Sequence, residues 1–329
     1  MDAVGTRMLE TGAAAKPRAR VLRLALLDGA FRTATMVSAA AVLLLLGGVI
    51  VALFHGALPA IMHFGVGFVV KEVWNPVTQE FGAAAPIFGT LLTSVIAMAI
   101  AVPVGLLIAV FLTEHCPRRL RRPIGIAIEL LAGIPSIISG VWGLFVLAPF
   151  LQRHVQPPVI AWFEGVPVLQ TLFAGPPYGI GMATASMILA VMVLPFIVAI
   201  SRDVFETVPA MLKEAAYGLG CTTWEVVRNI VLPYTRVGVL GGVMLGLGRA
   251  LGETMAVTFI IGNSHRIGTS LFAPGTTISA AIANEFTEAV GDLYYSSLIE
   301  LGLLLFLITF IVIAAARLML LRLGQRPTL

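Results

Sequence analysis

Between Arg32 and Lys71 the chain runs for 38 residues without a lysine, arginine, aspartate or glutamate, which restricts the possible folds more than any other feature. A helix needs about 20 apolar residues to cross the hydrocarbon core of a bilayer, and a charge-free run of this length has no polar face to turn toward water. Its most apolar part, about residues 33–54, reads as a first membrane span. Charge-poor intervals recur along the chain and predict further spans at about 87–112, 124–151, 179–200, 237–261 and 294–316. The expected fold class is therefore an all-α integral membrane bundle of six transmembrane helices over residues 28–323. Residues 55–70 are apolar but interrupted by Gly56, Pro59, Gly65 and Gly67, so they read as interfacial. Residues 1–27 and 324–329 read as tails, the first loosely ordered. The first apolar run begins only after more than thirty residues and is longer than the apolar core of a signal peptide, so it reads as a retained span.

Composition enters through the placement of charge. The formal net charge is +4, which by itself fits either nucleic acid or a membrane surface. With the N-terminus inside, the cytoplasmic segments hold Arg7, Lys16, Arg18, Arg20, Arg23 and Arg32, then Arg118, Arg119, Arg121 and Arg122, then Arg202, Lys213, Arg228 and Arg236, and finally Arg317, Arg322 and Arg326. Only Lys71, Arg153 and Arg266 fall on the other side, and Arg249 lies within a span. This asymmetry follows the positive-inside rule. It predicts six spans with both termini cytoplasmic, and it makes the basic balance a topology signal. Cys116 and Cys221 are isolated, and the five histidines lack metal-ligand spacing, so no metal and no cofactor are expected.

The longest cytoplasmic connection, residues 201–236, carries two helix signals. Pro209 suits the start of a first helix, Gly220 suits a turn closing it, and Thr222-Thr223-Trp224-Glu225 has the form of a capping box for a second. That second helix is expected to stop at Pro233. The compact hairpin is either an amphipathic surface element or a knob that seats in a soluble partner. The chain contains no G-x-x-x-x-G-K-[ST] loop, so it does not hydrolyse ATP by the P-loop route. It also lacks an H-E-x-x-H motif and a nucleophile elbow, so an enzyme is not the expected reading.

Ionisable residues inside spans are functional candidates because each costs several kcal/mol in hydrocarbon. Glu129 and Glu300 lie near span starts, where a structural role suffices. Arg249 and Glu253 fall near the centre of the fifth expected span, four residues apart and so on one helical face. They are either a self-neutralising pair or the lining of an oxyanion path. In the second reading the Arg249 guanidinium offers a planar fork of donors to oxygen, and Glu253 holds the arginine in place and accepts a hydrogen bond from a protonated phosphate, whose proton sulfate lacks.

Several segments carry a family resemblance. Glu214-Ala215-Ala216, three residues, Gly220, nine residues, Ile230, one residue, Leu232-Pro233 resembles the EAA loop of ABC-importer permeases. Trp74-Asn75-Pro76 with Phe81-Gly82 and Pro86-Ile87-Phe88-Gly89-Thr90-Leu91 resembles phosphate-specific permeases of the PstC type, as do Glu129-Leu130-Leu131-Ala132-Gly133-Ile134-Pro135-Ser136 and Gly140-Val141-Trp142-Gly143. Arg249-Ala250-Leu251-Gly252-Glu253, Ser270-Leu271-Phe272-Ala273-Pro274-Gly275 and Ile282-Ala283-Asn284-Glu285-Phe286 extend the likeness. Ser139 departs from it, because many relatives carry tyrosine there. The resemblance implies the type I ABC importer permease fold in a bacterial inner membrane, forming half of a translocation pore for inorganic phosphate. It places Glu214, Ala215, Ala216, Gly220, Ile230, Leu232 and Pro233 at the ATPase coupling loop and Arg249 and Glu253 along the substrate path. The implied partners are a second permease of the PstA type, an ATPase dimer of the PstB type and an external phosphate-binding protein of the PstS type. A permease for molybdate or sulfate is the nearest alternative reading, and an ion-coupled secondary transporter is a more distant one.

Overall fold

The computed structural model describes residues 15–324. Six helices among them are long and apolar enough to cross a membrane: Leu26–Phe64, Ala84–His115, Ser136–Trp162, Met182–Glu206, Thr223–Gly252 and Asp292–Leu318. The chain divides into two compact units, Met1–His55 and Gly56–Leu329.

The described part of the first unit is helix α1 (Ala15–Phe64), whose closing turns belong to the second unit. Leu43, Leu44 and Leu45 are all exposed, as in a span whose surroundings are lipid or another chain. Two sequence expectations change here. Residues 15–27 are helical rather than loose, because their Ala, Arg and Leu content favours helix; residues 1–14 lie outside the described part. The segment 55–64 is also helical, passing through Gly56 and Pro59.

Proline in a helix removes one donor and crowds the preceding turn. In the second unit the Ser296 hydroxyl repairs this locally. It accepts from Ala60 N at 2.9 Å and donates to Gly56 O at 2.9 Å, bridging the link that α-helical geometry would have made directly. The helix ends only at Phe64, before Gly65 at φ +54°.

The second unit continues with α2 (Ala84–His115), α3 (Arg118–Ala132) and α4 (Ser136–Trp162). A span at 124–151 is thus corrected to 136–162, and Glu129 falls on the separate helix α3. The break has a local cause: Gly133 ends α3, and Pro135 is extended at φ −56°, ψ 135°, supplying no N–H to continue the ladder. Helix α5 (Met182–Glu206) is the centre of the unit, with 61% of its most apolar stretch buried. It packs with α2 and with α7 (Thr223–Gly252) through Ala97, Ala101, Leu189, Val193, Ile197 and Ala250. A Cβ at Gly246 of α7 would stand 3.0 Å from Val193, so the close approach of the two helices needs the missing side chain.

Between α5 and α7 lies α6 (Ala210–Gly218); after α7 come α8 (Met255–Thr258), α9 (Ile278–Glu285) and α10 (Asp292–Gly324). Helix α9 caps its own start, with Thr277 Oγ1 accepting from Ala280 N at 3.2 Å. Its Ile278 N donates to Thr90 Oγ1 of α2 at 2.9 Å.

Candidate functional site

At one end of the bundle the chain forms the hairpin α6–α7. Pro209 stands at the N-cap of α6 with an extended backbone, and Gly220 reverses the chain at φ +85°. A left-handed backbone of this kind costs roughly 1–2 kcal/mol for a residue with a Cβ. Helix α7 then opens with the capping box expected at Thr222: Thr222 N donates to Glu225 Oε2 at 2.7 Å, and Glu225 N donates to Thr222 Oγ1 at 3.4 Å.

The expected stop at Pro233 is absent. The helix continues through a π-helical turn at Val227–Val231, just before the proline, and runs on to Gly252. A π-turn shifts the hydrogen-bond register by one residue and so accommodates a missing N–H without ending the helix. The hairpin and the fifth span are therefore one rod of 30 residues, about 45 Å long.

The coupling-loop residues split between two faces. Ala216 is buried against Phe205, Val208, Val226 and Val231, with Ile230 and Leu232 packed beside them. Glu214, Ala215, Gly220 and Pro233 are exposed. Around them stand large apolar side chains that the motif did not single out: Met211, Leu219 and Trp224 are 78%, 87% and 63% exposed. Large exposed apolar side chains of this kind mark surfaces that meet a protein partner or a membrane.

Sequence reasoning also missed the tie between the hairpin and α2. Lys213 Nζ donates to Glu114 Oε1 at 2.6 Å, with side chains only 18% and 7% exposed. Glu114 sits in the π-helical turn Phe111–His115 that ends α2, and the same turn accepts a hydrogen bond at Thr113 O from Arg121 of α3. The partners are 99 residues apart, so only an unpaired acid at the end of a span hinted at the contact.

At the far end of the same rod, Arg249 occupies the last turn of α7 and is exposed in the single chain. Its guanidinium carbon lies 4.5 Å from the centre of the Phe196 ring of α5. The expected pairing with Glu253 on one helical face is not formed. Helix α7 ends at Gly252, and Glu253 is extended at φ −69°, ψ 129°, so the i,i+4 relation does not apply. Arg249 takes part in none of the ion pairs seen at Glu129, Asp203, Glu114 and Glu285. The cation is held by a ring face and by the negative end of the helix dipole. Of the other candidates, Glu129 pairs with Arg202 at 2.8 Å. Glu300 is buried, and its Oε2 has no partner.

The end opposite the hairpin is fastened around Glu285. Its carboxylate accepts from Trp74 Nε1, from Tyr294 OH at 2.7 Å and from His265 Nε2 at 2.6 Å, and the Trp74 indole stacks on the His265 ring. Burial pushes this carboxyl up, but the hydrogen bonds and the nearby imidazole outweigh burial and hold it below the ordinary value. One acid thereby joins the loop before α2, the loop after α8, α9 and the start of α10.

Residues 101–325 match the family described as binding-protein-dependent transport system inner membrane component. Over 308 residues, 94% of each chain, the sequence is 67% identical to the phosphate transport system permease protein PstC of Mesorhizobium japonicum. The chain belongs to the PstC-type family of ABC importer permeases. Another PstC, from Pasteurella multocida, is 55% identical over 90% of this chain and 92% of its own length.

Among solved structures, a bacterial alginate ABC transporter in complex with a pentasaccharide-bound periplasmic protein aligns at a TM-score of 0.57 and 17% identity, covering 84% of this chain and 89% of the other. The inward-facing MetNI methionine ABC transporter aligns at 0.55 and 17% identity, covering 76% and 99%. At such identities the likeness establishes the fold, that of a type I ABC importer permease. As a PstC-type permease the chain is a multi-pass inner membrane protein, and it works with an ATP-hydrolysing subunit and a substrate-binding protein.

Proposed function

We propose that this chain forms half of the pore of an ATP-driven importer of inorganic phosphate, with Arg249 as the residue that receives the anion. The observation that carries the reading is an exposed guanidinium on a membrane span, stacked on Phe196 and without a carboxylate partner. An unpaired cation facing hydrocarbon is strongly unfavourable; one facing a water-filled path is not, and its planar donors match phosphate oxygens. Glu253, no longer spent on Arg249, stays close in sequence as an acceptor for a protonated phosphate. The PstC names of the relatives support phosphate as the cargo.

The proposed assembly pairs this chain with a PstA-type permease, a PstB-type ATPase dimer and a PstS-type binding protein, with both termini cytoplasmic as the basic loops suggest. Met211, Leu219 and Trp224, together with Glu214, Ala215 and Gly220, make the ATPase-facing knob. Ala216, Ile230, Leu232 and Pro233 serve it by shaping the hairpin from within or behind. Closure of the ATPase pulls on this knob, and two mechanical links carry the pull. One is the rod α7, which ends at Arg249; the other is the Lys213–Glu114 pair, which ends at α2. The ATPase cycle then shifts the population of inward- and outward-open states through contacts that differ between them. ATP chemistry stays in the separate subunit. The test is uptake of radiolabelled phosphate by the intact complex in competition with sulfate and molybdate: competition by phosphate alone upholds the reading, and preferential uptake of another oxyanion overturns it.

A further inference from the structure

A second cationic site lies toward the hairpin end of α5. A cavity of about 400 Å³ opens between α3 and the end of α5, lined by Arg118, Arg121, Arg122, Arg202, Glu129 and Glu206, with Ile126 at its side. Four arginines face two glutamates there, so the lining is net positive. Arg202 is already engaged, by Glu129 at 2.8 Å and by Asp203 at 2.9 Å. Arg118, Arg121 and Arg122 are not: none has a carboxylate within ion-pairing distance among the described residues. Arg121 gives one nitrogen to Thr113 O, while its Nε is buried without a partner.

Residues 118, 121 and 122 share one face of α3, where like charges repel one another. Such an arrangement is stable when an anion lies among the cations. Ile126, one turn beyond Arg122, is exposed at the side of the cavity, and beyond it the same face carries Glu129, which is paired with Arg202. Three arginines without a carboxylate partner beside one apolar side chain match a phosphoryl group, free or carried on a lipid.

We propose that this cavity binds a phosphoryl group, either the headgroup of an anionic phospholipid or free inorganic phosphate. Its Arg202 stands six residues beyond Phe196 on α5, about 9 Å along the helix, so the cavity is set off from the Arg249 guanidinium stacked on Phe196 by roughly two turns. The experiment uses the complex of permeases and ATPase in maltoside, purified without the external binding protein, with Arg249→Gln in place so that the transport residue contributes no phosphate binding. It is titrated calorimetrically with dihexanoyl phosphatidylglycerol and, separately, with inorganic phosphate. Arg118→Gln/Arg122→Gln is compared with Arg119→Gln, which removes an arginine from the same helix but outside the cavity.

The expected result is binding of at least one probe, weakened on the order of tenfold or more by the double substitution and unchanged by Arg119→Gln. Binding of phosphatidylglycerol alone assigns the site to lipid, and binding of phosphate alone assigns it to the free anion. Equal affinity in the two variants, or no binding of either probe, overturns the proposal. Because Arg249 is silenced throughout, neither result bears on the transport reading.

Discussion

Replacing Glu114 by glutamine tests whether the hairpin is geared to the second span. The ammonium of Lys213 would keep its enclosed position, with the side chain 18% exposed, but would lose the charge that compensates its desolvation. Removing one partner of a buried pair costs about 3–5 kcal/mol. Because Lys213 retains some access to water, the lower end, about 3 kcal/mol, applies, which displaces the docked hairpin by on the order of a hundredfold. The hairpin itself persists, because Ala216, Val226 and Val231 remain packed on Phe205 and Val208. Reconstituted complexes carrying Glu114→Gln should therefore retain the ATPase subunit and hydrolyse ATP, while substrate uptake per ATP falls more than tenfold. The exchanged pair Glu114→Lys/Lys213→Glu should recover much of that loss. Wild-type coupling in Glu114→Gln and Lys213→Met, or no recovery in the exchange, would refute the gearing argument.

Three further outcomes follow from the geometry. Gly220→Val places a β-branched residue at φ +85° at a cost of at least roughly 1–2 kcal/mol; since no atom lies within 4 Å of its Cβ, the loss should register as weaker ATPase co-purification rather than unfolding, with Gly220→Asn milder. Gly89→Ala would set a Cβ 1.9 Å from Thr276 O and should lower the thermal midpoint of the complex by several degrees, whereas Gly47→Ala, with open space around it, should not. Glu285 is held below its ordinary value of 4.5, so its contribution to stability is present above that pH and is lost as pH falls through the lower folded-state value. The gap in melting temperature between wild type and Glu285→Gln should thus be full at pH 7 and close as the medium is acidified below about 4.5; a gap constant with pH would contradict the charged cluster.

Span count was legible because each charge-free interval is too long to stay in water, and each of the six expected spans overlaps an observed one. The hairpin was legible because its signals are local: a proline at the start of α6, a glycine in left-handed backbone and a reciprocal cap at Thr222. Helix ends were not, and the misses share one cause. Proline punctuates helices in water, yet Pro59 is spanned with help from Ser296, 237 positions away in sequence, and Pro233 is spanned through a π-turn. Where proline did break the chain, at Pro135, a glycine two residues earlier had already ended the helix. The shared helical face expected for Arg249 and Glu253 is absent because that expectation assumed helix on both sides of Gly252. Long-range partners such as Lys213–Glu114 and the Glu285 cluster leave no periodic trace, since their members lie on different elements.

The most direct measurement is phosphate uptake by proteoliposomes holding the full complex with Arg249→Gln or Arg249→Lys. Because the fork of donors is required and not charge alone, both variants should assemble and hydrolyse ATP, with uptake abolished in the first and strongly reduced in the second. Undiminished phosphate transport by Arg249→Gln would contradict the account, and it would return the cation stacked on Phe196 to a purely architectural role.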